Sequence, residues 1–286
     1  MPDRRPVRWM IVPAAAGAAA AAVVLARRAE RAQSAALVAA LTHASLDAGR
    51  VEQRVVPGDL PAPVQRFFAH VLRPGRSPIR LAEFRQAGRL RTDVASNRWM
   101  GFAATHVVAP PACGFVWNAR VRLAGVLHLD VRDALVEGEG SGRVTFMSAV
   151  PLARARGDPR LTAGALHRYL AEAAWYPTAL MPSSALHWSP IDAGRALATL
   201  AAHGTTVSLE FRFDADGAVA SIYTPARWGR FAGGYAQRAW EGRFGPTVER
   251  DGMRVPSDGE VGWFVDDAWR PVWQGRMVAA RYAFAD

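Results

Sequence analysis

The longest strict alternation in the chain runs from Val207 to Phe213. Val207, Leu209, Phe211 and Phe213 point one way, and Ser208, Glu210 and Arg212 point the other. Period-two spacing marks a strand with one dry and one wet face. The same spacing, cut by turn residues, predicts a four-stranded meander: Leu186–Ile191, Arg195–Ala202, Thr205–Phe213 and Val219–Tyr223. The Asp214-Ala215-Asp216-Gly217 break reads as a hairpin turn, because glycine takes positive φ without steric cost.

Upstream, from Ile79 to about Ala153, the pattern is again strand-like. Phe115, Trp117, Ala119 and Val121 define one face, and Val116, Asn118, Arg120 and Arg122 the other. Downstream, a basic glycine-containing loop from Arg227 to Tyr235 precedes three further strands. Two segments carry helical spacing instead. Val64, Phe67, Phe68, Val71 and Leu72 form one apolar face, with Asp59 as N-cap, Pro61 in the first turn and Pro74-Gly75 as stop. Leu166, Tyr169, Leu170, Ala173 and Tyr176 form a second stripe, with Thr162 as N-cap and Pro177 as terminator.

About ten antiparallel strands and two helices predict an α+β fold, predominantly antiparallel β. Its wide curved sheet, half-barrel-like, packs on one long helix, because a sheet this broad curls. An apolar cleft remains wherever the helix does not fill the curve.

The N-terminus adds a third helical element. Trp9–Ala26 is uncharged, spans roughly 27 Å as a helix and is bounded by Arg4, Arg5 and Arg8 on one side and Arg27, Arg28 and Arg31 on the other. This reads as an uncleaved transmembrane anchor, making the membrane a partner through residues 9–26 and the cell membrane the expected location. The arginines balance, so the side on which the domain lies is not readable. Residues 29–48 continue as a helix, with Leu37, Val38 and Leu41 on one stripe and Gly49 as stop. The expected organisation is an anchor over 1–28, a helical stalk over 29–58 and one β-rich domain over 59–286.

A net charge of +10 and a pI near 11.0 invite a nucleic-acid reading. All 35 basic residues are arginine and they are scattered, the signature of a coding bias, so no nucleic-acid partner is expected. One cysteine, Cys113, leaves no intrachain disulfide and no cysteine-based zinc site. The seven histidines stand singly, without ligand-pair spacing; His106, His128 and His187 lie on strands and are the three that folding could bring together. There is no phosphate-binding glycine loop ahead of a helix and no Gly-x-Ser-x-Gly elbow, so no cofactor, metal or catalytic residue is assigned.

Several stretches, among them "RWMGFAATHVV", "PPACGFVWNARVRL", "LHRYLAEAAWYPTALMP" and "GTTVSLEFRFDADG", resemble an uncharacterised bacterial domain family over about residues 60–280. The family has no assigned activity, so the resemblance transfers no residue roles. More distantly, the plan resembles the half-barrel carriers of lipoproteins and lipids in bacterial envelopes.

Ten tryptophans are the most distinctive feature of the composition. The leading reading is a membrane-anchored, non-enzymatic domain that binds a hydrophobic or amphipathic, lipid-like ligand in the concave face. Its candidate ligand-binding residues are Trp117, Arg120, Glu172, Trp175, Tyr176 and Trp240. Two alternatives stand beside it. One is an enzyme using Glu172 and Glu241 as paired carboxylates. The other is a structural envelope module with no ligand.

Overall fold

The computed structural model describes residues 8–48 and 60–285; for residues 8–16, 18 and 19 it describes the backbone alone. Asp59 and Gly49, expected as a cap and a stop, lie outside the described residues. The chain opens with α1 (Arg8–Asp47) and α2 (Ala62–Val71). Six strands follow: β1 (Ile79–Leu90), β2 (Met100–Ala109), β3 (Gly114–Ala124), β4 (Leu127–Val136), β5 (Glu139–Phe146) and β6 (Val150–Arg156). After α3 (Pro159–Glu172) come β7 (Leu186–Pro190), β8 (Arg195–Ala202), β9 (Thr205–Phe213), β10 (Val219–Phe231) and β11 (Gly234–Phe244). The chain ends with β12 (Thr247–Arg250), β13 (Met253–Pro256), β14 (Asp258–Val265) and β15 (Ala268–Phe284).

Thirteen strands form one antiparallel sheet in the order β6-β5-β4-β3-β2-β1-β15-β14-β11-β10-β9-β8-β7, and β12 and β13 form a separate ribbon. Two meanders are therefore joined by the last strand, since β15 pairs with β1 on one side and β14 on the other. The predicted β7–β10 meander forms in register, and the turn after Phe213 uses Gly217 at φ 93°. The basic stretch from Arg227 is not a loop; it continues β10 to Phe231 and puts Arg227 inside the sheet.

The sheet curls because α3 touches both its arms. On β5, the Gly140 N–H donates to Thr162 Oγ1 at 3.0 Å. On β10, Arg227 donates to the Gly164 carbonyl at 3.0 Å. Strands β5 and β10 are far apart in the sheet order, so one fourteen-residue helix can meet both only if the sheet wraps around it. Glycines permit the approach: a Cβ on Gly140 would meet Thr162 backbone at 2.8 Å, and one on Gly164 would meet the Trp228 carbonyl at 2.8 Å. Thr162 is thus a tie to β5 and not the expected N-cap. That role falls to Asp158, which accepts from the Arg160 N–H at 2.9 Å, with Pro159 in the first turn. The α-helix ends at Glu172, before Pro177, and continues as two 3-10 turns, Ala173–Trp175 and Pro177–Leu180.

The first helix departs from expectation. Residues 29–48 do not stand off as a stalk; they lie on the convex face. Leu41 is fully buried against Val116, Ala134 and Val136, Ser45 donates to the Arg80 carbonyl at 2.8 Å, and Glu30 pairs with Arg143. Near the sheet margin, Arg27 donates to the Met147 carbonyl at 3.1 Å, and Val23, Val24 and Leu25 beyond it are exposed. Among the described residues, no helix is long and apolar enough to cross a membrane.

Candidate functional site

Helix α3 presents two different stripes. Leu166, Leu170 and Ala173 are buried in solid core. Arg168, Ala171, Glu172 and Trp175, at i, i+3, i+4 and i+7, face a hollow in the concave side of the sheet. The opposite wall is a register row across five strands: Ile222, Gly242, Val261, Trp273 and Leu90. The next row is Phe244, Gly259, Gly275, Gly88 and Phe102, in which three adjacent glycines carry no side chain. Above that bare strip lie two indoles. Trp175 meets Phe244 edge-on at 5.6 Å, and Trp273 stacks on Phe102 at 5.7 Å. The space that remains has a volume of about 430 Å³, within the range of small-molecule sites. It reaches the surface beside Leu90 and the exposed Thr92.

Its inner end is charged. Arg168 donates to Glu172 Oε1 at 2.8 Å and to Asp133 Oδ2 at 3.0 Å, with its guanidinium over Phe115 and Trp117. Arg227 lies over Trp240, 4.6 Å from the ring centroid, and near Trp263 at 5.2 Å. One of its N–H groups binds the Gly164 carbonyl, and its Nε has no partner. Glu172 Oε2 is also unpartnered and stands 3.4 Å from Nε2 of the fully buried His106. Burial raises the Glu172 carboxyl against the pull of Arg168 and Arg227. Burial likewise raises Asp133, opposed by Arg168. Asp133 lies between this hollow and a second one beside Trp228 and Tyr235, and 46% of its side chain is accessible. Burial and then Arg168 hold His106 well below its ordinary value, so the imidazole is neutral. Burial and then Arg168 lower Arg227 to about 10. Burial also works against the Arg168 cation, but Glu172 and Asp133 outweigh it and leave it above its ordinary value.

Four of the six sequence-derived ligand candidates line the hollow: Trp117, Glu172, Trp175 and Trp240. Tyr176 does not, because it is fully buried behind them, its hydroxyl donating to the Tyr169 carbonyl at 2.6 Å. Arg120 lies on the convex face, paired with Asp130 at 3.2 Å. That face holds a larger trough of about 730 Å³ beside α1, where Arg132 and Arg143 are already bound to Gln33, Ser34 and Glu30. Sequence reasoning missed Arg227, Asp133 and Trp273. Arg168 and Glu172, four residues apart on α3, form their ion pair inside the curl of the sheet. The available signal was the 168/171/172/175 stripe, a charged face on a helix whose surroundings are sheet.

The proposed carboxylate pair does not assemble. Trp240 points into the hollow, so its neighbour Glu241 points out, where Arg243 donates to it at 2.6 Å. His106, His128 and His187 do not converge, and among the described residues no cluster of three metal-ligating side chains occurs.

Fold and site together define a curled antiparallel half-barrel with a helix wedged inside and a hollow beside the helix. The chain belongs to the DUF6544 family, a family of unknown function, which it matches over residues 50–275. No curated protein matches it. Among solved structures it is similar to a LolA superfamily protein of Nitrosomonas europaea, at 9% identity and a TM-score of 0.41, covering 79% of this chain and 96% of that one. It is also similar to a beta-barrel-like protein of the DUF1849 domain of unknown function from Brucella abortus, at 10% identity and a TM-score of 0.27, covering 73% of this chain and 100% of that one. A porin-like protein of Bacteroides uniformis follows at 5% identity and a TM-score of 0.28, covering 73% of this chain and 99% of that one.

Proposed function

We propose that this protein binds one hydrophobic or amphipathic ligand in the hollow beside α3, and that it works without catalysis at a membrane it contacts through residues 9–26. One observation carries the reading. The concave face is not filled by side chains: about 430 Å³ is left between Trp117, Trp175, Trp240 and Trp273. Empty apolar space of this size costs stability, which favours an occupant that restores the lost contacts. A purely structural module predicts a filled interior, and carboxylate chemistry needs Glu172 and Glu241 on one face. The membrane part is supported by α1, whose exposed Val23, Val24 and Leu25 lie beyond its last tie to the sheet at Arg27.

Native mass spectrometry of the full chain purified from membranes tests the reading. A stoichiometric lipid-sized adduct is expected on the wild type and not on Val261→Trp, which places an indole in the hollow. A ligand-free wild type that also takes up no fluorescent acyl probe overturns it. Flotation with vesicles tests the membrane contact separately: protein that stays at the bottom of the gradient refutes it.

A further inference from the structure

The polar atoms left without partners around the hollow are unequal in kind. Arg227 Nε, Trp240 Nε1 and Trp273 Nε1 are all donors. The one buried acceptor there without a partner, Glu172 Oε2, is turned towards His106, and the accessible Asp133 carboxylate is held by Arg168. The two arginines are unequal as well. Arg168 takes both carboxylates of the cluster, Glu172 and Asp133. Arg227 has only a backbone carbonyl and two indole faces, with no ion-pair partner among the described residues. Glu172 and Asp133 act on Arg227 only from beyond contact distance, so its buried Nε–H is left without a partner, and the planar fork of a guanidinium suits a carboxylate or phosphate.

We propose that the ligand of this hollow is an anionic amphiphile whose carboxylate or phosphate head binds Arg227 and the Trp240 indole N–H, while its chain lies along Val261 and Trp273 towards Leu90. The inference rests on the ligand-binding reading above and adds the charge of the head. Trp240 is 3% exposed, its ring is covered by Arg227, and its Nε1 and the Arg227 Nε are neighbouring buried donors that both lack a partner. A neutral lipid fills the apolar wall but gives the Arg227 guanidinium no contact ion pair.

The test is displacement of a fluorescent acyl probe from the full chain by oleate, oleyl phosphate and methyl oleate. Oleate or oleyl phosphate should displace the probe at a concentration at least about tenfold below that of methyl oleate, a difference of about 1.4 kcal/mol. Which anion is the stronger separates a carboxylate head from a phosphate head. Arg227→Gln should bring the anions to parity with methyl oleate, while Arg227→Lys keeps part of the preference. Equal displacement by all three in the wild type overturns the anionic head and leaves the hollow as a site for neutral lipids. A probe that does not enter the wild type refutes the hollow as a site, and the head-group assignment with it. The wild-type comparison needs no variant to fold.

Discussion

The two arms of the sheet carry the same alternation and close over different contents. Around β7–β10, Leu209 and Phe211 are fully buried, Trp188 meets Phe211 at 5.1 Å, and Phe67 of α2 meets Phe213 at 5.6 Å. That arm is solid. Around β1, β14 and β15, equally regular strands face empty space lined by Leu90, Val261 and Trp273. The difference lies in what the helices bring. Helix α2 and the leucine stripe of α3 fill one arm, whereas α3 offers the other Arg168, Ala171 and Glu172, a short and charged surface that cannot fill it. Alternation shows which face is dry; the opposing element decides whether the dry face is core or cavity.

Truncation should separate the arms most sharply. Phe211→Ala should cost about 3–5 kcal/mol of unfolding free energy, the usual range for a buried phenylalanine. Val261→Ala, on the wall of the hollow, should cost clearly less, because part of its surface faces no protein atoms. Chemical denaturation of the two variants checks this, and equal losses would mean that the hollow closes up in solution.

The next largest effect is in pH. His167 is buried in the solid arm, and burial, then the Arg227 charge, lower it to about 4, against about 6.5 for the unfolded chain. The unfolded state therefore binds more protons between those values, and stability falls as the pH drops through that window. Relative to His167→Asn, the wild type should lose about 3 kcal/mol on going from neutral pH to pH about 4. A difference profile that stays flat would show that the imidazole is not shielded in that arm.

Smaller still is the effect of widening the wedge. Gly164→Ala sets a Cβ 2.8 Å from the Trp228 carbonyl, which must shift β10 and should cost about 1–3 kcal/mol. Because β10 also carries Arg227, probe binding in the hollow should weaken in the same variant. Unchanged binding would uncouple the two arms. Glu30→Ala, which releases Arg143 and Arg132 on the convex face, should cost about 1 kcal/mol or less. Its signature is faster hydrogen exchange in α1 between Arg27 and Leu37, with the interior unaffected.

Much of the fold was legible in local chemistry. The β7–β10 meander, the Gly217 turn and the inward set Phe115, Trp117, Ala119 and Val121 follow from period-two spacing alone. Four residues of the candidate site were legible as well, since tryptophans on inward positions and on a helix end converge in any curled sheet. Arg227 was not, because arginine and glycine in one stretch look like a loop unless the partner strand is known. Thr162 was misassigned for a similar reason. Its hydroxyl serves a strand amide from β5, and that choice depends on a neighbour twenty-two residues away. The docking of α1 was hidden too. Leu37, Val38 and Leu41 mark an apolar stripe, but the groove that receives it is made by Ala109, Val116 and Ala134 from three strands.

The sequence by itself determined which residues of each strand and helix face inward, because side-chain direction follows from backbone period and needs no partner. It also determined the turns, through residues whose φ is restricted or free. Only the tertiary structure decided that the interior is solid on one arm and hollow on the other, that Arg168 takes both carboxylates and Arg227 none, and that Glu172 and Glu241 lie on opposite faces. Those outcomes depend on distances between segments far apart in the chain, set when the last strand joins two meanders and the sheet curls onto one helix.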